Sequence, residues 1–193
     1  MPWRGAYMNK EQRMPERRFS WGINPFSLAL LGSLIALIGS VPDGAAAETV
    51  QAGAATQAFQ FERKVPLAGF SRRGGKPAKG LQDPVGVRVL VLEDADTRLI
   101  IASCDLLVVN ELLYQAVREG IDQGLAKNKE TVLFLAATHT HSGPGAYGKR
   151  FLEKLSMGHY DPRIFKALST QIVETIEAAA RSLAPVRMTY GLD

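Results

Sequence analysis

The sequence predicts an α/β domain in which strands and helices interleave around a mixed sheet. Three observations carry this. Two β-type runs flank the turn-forming segment Asp94-Ala95-Asp96-Thr97, a hairpin pattern. The run Val132 to Ala137 is continuously apolar, as expected of a strand buried in a mixed or parallel sheet rather than one that alternates. Between and after them, apolar residues recur at helical spacing.

The elements follow in order. Residues 1–18 carry Arg4, Lys10, Arg13, Arg17 and Arg18 against Glu11 and Glu16, and the uncharged apolar run 25–41 comes next. Ala45-Ala46-Ala47 then precedes Glu48. A basic segment, an apolar segment and an Ala-x-Ala site in that order make residues 1–47 a secretory signal with cleavage after Ala47. The run 25–41 is also just long enough to serve as an uncleaved membrane anchor. Either way the basic residues stay on the cytoplasmic side and the rest is exported. Residues 48–60 are small and polar and read as a linker or a frayed start, so the domain proper is expected over 61–193.

Within it, Val87–Glu93 and Arg98–Ser103 are the hairpin strands. Leu106, Val109, Leu113, Val117 and Ile121 then take helical spacing, with Gly120 and Gly124 weakening the last turns and an end before Asn128. After the strand 132–137, Asp161 as N-cap and Pro162 at the first helical position open a second helix. Phe165, Leu168, Ile172, Ile176 and Ala179 form its apolar face. It stops ahead of Pro185, and Val186 to Tyr190 alternates as a further strand.

An apolar fraction of 46% and a charged fraction of 22% are those of a globular protein and exclude a chain that is mainly disordered. The formal net charge is +4. Much of that excess lies in the first eighteen residues, so the remainder is nearly balanced and there is no nucleic-acid footprint. Residues 71–80 hold Arg72, Arg73, Lys76 and Lys79 among glycines and a proline. They read as a solvated loop or as a cationic rim that meets an anionic lipid surface. The single cysteine, Cys104, cannot form an internal disulfide. At the end of an apolar run it reads as a buried structural thiol.

The chemistry-bearing stretch is Thr138-His139-Thr140-His141-Ser142-Gly143-Pro144-Gly145, which holds two of the three histidines. In extended backbone the side-chain period is two, so His139 and His141 are expected on one side. Two imidazoles beyond a strand end, with glycines that allow close approach, make half a zinc site. The alternative is a pair of polar residues hydrogen-bonded to loop carbonyls. Asp105 also sits at a strand end, where open α/β sheets place ligands. It reads equally as a partner that fixes an imidazole tautomer or as a helix N-cap.

Ala137 to Gly145 resembles the metal-binding motif of the neutral/alkaline non-lysosomal ceramidases. So do Val65-Pro66-Leu67-Ala68-Gly69-Phe70-Ser71-Arg72, Asp83-Pro84-Val85-Gly86-Val87-Arg88-Val89-Leu90-Val91-Leu92-Glu93 and Ser103-Cys104-Asp105-Leu106-Leu107, in that family's order. The resemblance covers roughly residues 61–193. It implies a zinc (Zn2+) amidohydrolase that cleaves the N-acyl bond of ceramide or a related N-acyl lipid, with His139 and His141 as metal ligands.

The resemblance also implies a third histidine well beyond the pair, and a glutamate and a tyrosine further on. The remaining histidine, His159, lies in the Gly158-His159-Tyr160-Asp161-Pro162 loop and does not match that ligand. The chain is therefore expected to correspond to the N-terminal part of a larger catalytic domain. A non-catalytic remnant or exported binding domain of the same fold is the alternative from another functional class.

Overall fold

The structure is a computed structural model that describes residues 50–125 and 129–189. The signal or anchor expected over 1–47, and Tyr190, lie outside the described residues. Among the described residues no helix is long and apolar enough to cross a membrane.

The predicted hairpin is formed by β2 (Gly86–Glu93) and β3 (Thr97–Cys104), paired antiparallel from Val87↔Cys104 to Glu93↔Arg98. Asp94 closes its turn, because Oδ1 accepts from the backbone N–H of Asp96 at 3.0 Å and of Thr97 at 2.7 Å. Such local side-chain bonds are why aspartate favours turns. Chain reversal to a parallel neighbour needs a crossover. Helix α1 (Glu111–Gly124) supplies it and leads into β4 (Glu130–Ala137), which pairs parallel with β3. A short helix α2 (Phe151–Met157), not anticipated from the sequence, precedes the long helix α3 (Pro162–Arg181). As predicted, α3 is capped by the Asp161 carboxylate, which accepts from Arg163 N at 2.9 Å, and begins on Pro162.

Three expectations change. Residues expected as a linker form β1 (Gln51–Ala58), antiparallel to β2 and lying between β2 and β5 in the sheet order β4-β3-β2-β1-β5. Its small side chains are a packing requirement: a Cβ on Gly53 would run into the carbonyl of Ala179 on α3. A composition that looks like a flexible linker is here a strand pressed close beneath a helix. The helix expected from Leu106 starts only at Glu111, since Asn110 accepts from Leu113 N at 2.9 Å and caps it, leaving Leu106 and Val109 in the preceding loop. Of the strand expected over 186–190, residues 186–189 are not in a strand; the pairing falls just before them, in β5 (Ala184–Pro185), whose residues pair with Ala52 and Gln51 of β1. The proline occupies an edge, where its missing N–H does no harm.

The core lies between the sheet and helices α1 and α3. Val87, Val89, Val91, Ile100, Ala102 and Leu133 meet Leu113, Val117, Ile121, Leu168, Ile172 and Ile176 there. Among the described residues the opposite sheet face is open. Strand registers align Ala54, Leu90, Ile101 and Phe134 in one row across it, and Ala52, Leu92, Leu99 and Val132 in the next. Strand β4, expected buried, is thus an edge strand with Val132 45% and Phe134 61% exposed. Its unbroken apolar run shows that a strand has two apolar faces, and here the second face is uncovered among the described residues.

Candidate metal centre

Because β3 and β4 are parallel neighbours in register Cys104↔Ala137, the segments that follow them leave the sheet side by side. Their ladder continues briefly beyond the strands: Thr138 N donates to Cys104 O at 2.9 Å and Thr140 N to Leu106 O at 3.1 Å. Asp105 and the two histidines are thereby brought to one end of the sheet, the end at which such folds bind ligands.

The histidines do not reach each other by strand alternation. β4 has ended, and His139 takes φ +59°, in the left-handed region that side chains other than glycine seldom occupy. Such strain persists only where the surroundings enforce it, and it collects at functional positions. Ala146, at φ +63°, bounds the other end of the same loop. The imidazoles meet through this turn, with ring centroids 5.3 Å apart and planes at 63°. Two imidazoles holding one zinc at the usual Zn–N distance and a near-tetrahedral angle have centroids about 5 Å apart, so the spacing fits a shared metal.

His139 Nδ1 lies 2.8 Å from the carbonyl oxygen of Leu107. A protonated Nδ1 donates to that oxygen and leaves the Nε2 lone pair for a ligand, the usual arrangement behind a metal-bound histidine. The Leu107 carbonyl is itself held in place. Tyr147, fully buried, donates from its hydroxyl to Val108 O at 2.8 Å and accepts from Val108 N at 3.4 Å. Burial, offset in part by the Val108 hydrogen bond, pushes its phenol up to about 12, so it stays protonated at every physiological pH.

Asp105 takes neither of its two expected roles directly. It is not the N-cap of α1, which is Asn110. Its Oδ2 accepts from Gly86 N and from the Arg88 guanidinium, both at 3.0 Å, and its Oδ1 from Thr138 Oγ1 at 3.4 Å. It therefore braces the residue before His139, while the Leu107 carbonyl occupies the place next to an imidazole nitrogen. Neighbouring Cys104 is fully buried, and desolvation together with the Asp105 charge pushes its thiol up to about 12. That is an inert structural thiol, as expected.

His141 rests on a segment the sequence showed only as a loop. Phe70 meets its ring edge-on at 4.6 Å, and Arg73 donates to His141 O at 2.6 Å and to Ala68 O at 3.1 Å. The cationic stretch 71–80 is thus part 3-10 turn (Ser71–Arg73), with Arg73 turned inward while Arg72, Lys76 and Lys79 remain exposed. Gly143 and Gly145 make room for backbone, not for a ligand, since a Cβ on them would run into Asp105 O and Met157 O. His159 is exposed on the separate loop before α3. Among the described residues no cluster of three or more His, Cys, Asp or Glu side chains is placed to hold a metal. What the geometry offers a metal is the spacing of the two imidazole rings.

Comparison with known proteins bears on the family and the fold. The family described as neutral/alkaline non-lysosomal ceramidase, N-terminal, matches residues 62–193. A neutral ceramidase of Pseudomonas aeruginosa is 33% identical over 138 residues, covering 66% of this chain and 19% of the relative. One of Mycobacterium tuberculosis is 32% identical over 104 residues, covering 51% and 16%. The chain thus spans under a fifth of the length of these curated relatives. In the crystal structure of the neutral ceramidase from Pseudomonas aeruginosa, 22% of that chain superposes on 72% of this one with a TM-score of 0.64 and 25% identity. A ceramidase complexed with C2 gives 0.63 and 27%.

Proposed function

The chain belongs to the neutral/alkaline non-lysosomal ceramidase family, and from that premise we propose that it corresponds to the N-terminal part of an exported zinc-dependent amidohydrolase. The substrate class is ceramide or a related N-acyl lipid, and the bond cleaved is the N-acyl amide. The observation that carries this reading is the imidazole pair just beyond the end of β4, with His139 Nδ1 set against the Leu107 carbonyl beyond the end of the parallel neighbour β3.

In this reading His139 and His141 hold the metal. What zinc supplies in such a site is Lewis acidity toward a carbonyl and a water acidified to a pKa of about 7. The chain's own residues orient. Leu107 O fixes the His139 ring, Asp105 fixes Thr138 beside it, and Phe70, half exposed, offers an apolar wall next to His141. Amide hydrolysis also needs a proton for the departing amine, and no residue is assigned to that task.

Export rests on the order of basic, apolar and Ala-x-Ala segments in residues 1–47, with the run 25–41 as an anchor if it is not cleaved. The exposed cations Arg72, Lys76 and Lys79 near Phe70 favour contact with an anionic lipid surface, which suits an amphiphilic substrate. A second reading has its own support in the two-ligand count among the described residues. In it, the chain by itself is a non-catalytic remnant or exported binding domain that holds metal weakly, because open catalytic zinc sites use three protein ligands.

Equilibrium dialysis against zinc tests the pair. His139→Ala and His141→Ala should each lose zinc, whereas His159→Ala should leave uptake nearly unchanged. Equal stoichiometry in the wild-type chain and the double His139/His141 variant would sink the metal reading.

A further inference from the structure

Three contacts reach His141 from outside the motif that contains it, and a fourth ties two of the contacting residues together. A Cβ on Gly69 would stand 2.7 Å from the ring's Nδ1, and Gly69 has φ +112°, so only glycine passes beneath this imidazole. The Phe70 ring sits edge-on to it at 4.6 Å. The Arg73 guanidinium lies over the same phenyl ring, 4.8 Å from its centroid. The same guanidinium donates to the backbone carbonyl of His141. One arginine thus holds both the backbone of His141 and the aromatic ring that its side chain leans on.

The strap that presents these groups is tied down along its length. Ala68 N donates to Gly143 O at 3.1 Å, Gly145 N to Pro66 O at 2.7 Å and Gly69 N to Ser156 O at 2.8 Å. Residues 66–69 therefore run against the loop that follows the histidines and against the end of α2. Phe70 is 54% exposed, so burial accounts for only part of its position.

We propose that Gly69, Phe70 and Arg73 are positioning residues that seat the His141 imidazole: glycine admits the ring, phenylalanine sets its plane, and arginine clamps ring and backbone together. His139 is set differently, through the Leu107 carbonyl, so each imidazole of the pair has its own brace. The metal consequence rests on the reading of His141 as a ligand. The seating of the ring does not.

The test uses the full chain and two readouts. In metal-free protein, histidine side-chain NMR reports ring order and chemical shift. Phe70→Ala should move the His141 ring signals toward those of a freely rotating histidine, leave those of His139 in place, and be reversed by Phe70→Tyr. Arg73→Gln should act in the same direction, and Leu81→Ala, at an exposed loop position, should do nothing. Competition with a chromophoric chelator then reads zinc affinity, which should fall about 10-fold in Phe70→Ala and return in Phe70→Tyr, the range expected when a group supporting a ligand is lost. Unchanged His141 signals in Phe70→Ala overturn the proposal; full zinc affinity in a variant whose ring has loosened supports the brace and overturns only the reading of His141 as a ligand. Loosened His141 signals in a chain whose wild type takes up no zinc support the brace and count against the metal reading instead.

Discussion

The carbonyl of Leu107 faces His139 Nδ1 across 2.8 Å, although 32 residues separate them in the chain. The contact exists because β3 and β4 run parallel side by side, so the loop leaving one strand lies along the loop leaving the other. It sets which imidazole nitrogen is free, and it is maintained in turn by the bond from Tyr147 to the adjoining residue Val108.

Removing the hydroxyl in Tyr147→Phe should therefore act twice. Both polar backbone groups of Val108 lose their partner, at a cost of about 1–3 kcal/mol in urea-denaturation stability. The freed 106–108 loop should also weaken zinc uptake, by less than loss of either histidine does. An unchanged denaturation midpoint would show that Tyr147 does not pin this loop.

Acid stability should depend on Glu93. Burial raises its carboxyl, but hydrogen bonds and charge from Lys129 and Arg98 outweigh that and hold it below the ordinary value of 4.5. A carboxyl depressed in the fold stabilises the folded state fully above 4.5, and this contribution is lost as pH falls through the lower folded value. Denaturation curves taken across that acid range should weaken less steeply in Glu93→Gln than in wild type. Identical slopes for the two proteins would be the wrong result for this account.

Gly120 and Gly124 both lie in α1, and alanine is favoured over glycine in a helix by about 1 kcal/mol. At Gly120 a new methyl would stand 2.6 Å from Cγ2 of Val173, a branched side chain packed against the core. Overpacking costs about 1–3 kcal/mol, so Gly120→Ala should destabilise. At Gly124 the obstacle is the far end of the flexible Glu177 side chain, which can swing away, and Gly124→Ala should stabilise. Thermal melts of the two variants should move in opposite directions, and a rise for both would refute the close α1–α3 approach.

Processing is checked at the N-terminus. Protein recovered from the periplasm or medium should begin at Glu48 if the small-residue site after the apolar run is cut. Intact chain in washed membranes would instead mark residues 25–41 as an anchor.

The sequence by itself determined the elements whose causes are local. Asp161-Pro162 opens a helix because a carboxylate caps free N–H groups and proline fits the first turn, and the structure has that helix start where expected. The 87–103 hairpin follows from β-type residues around an aspartate turn, and the histidine motif was legible because its residue types carry chemistry at that spacing. Tertiary structure decided what depends on distant neighbours. Residues 51–58 look like a linker until α3 is laid across Gly53, since small residues are required wherever backbones come close. Whether an apolar strand is buried depends on what covers each face, which Phe134 could not announce. The partners of the two histidines, Leu107 and Phe70, lie 32 and 71 residues away from them in sequence. Only the parallel pairing of β3 with β4 and the strap over His141 bring those groups into hydrogen-bonding and van der Waals range.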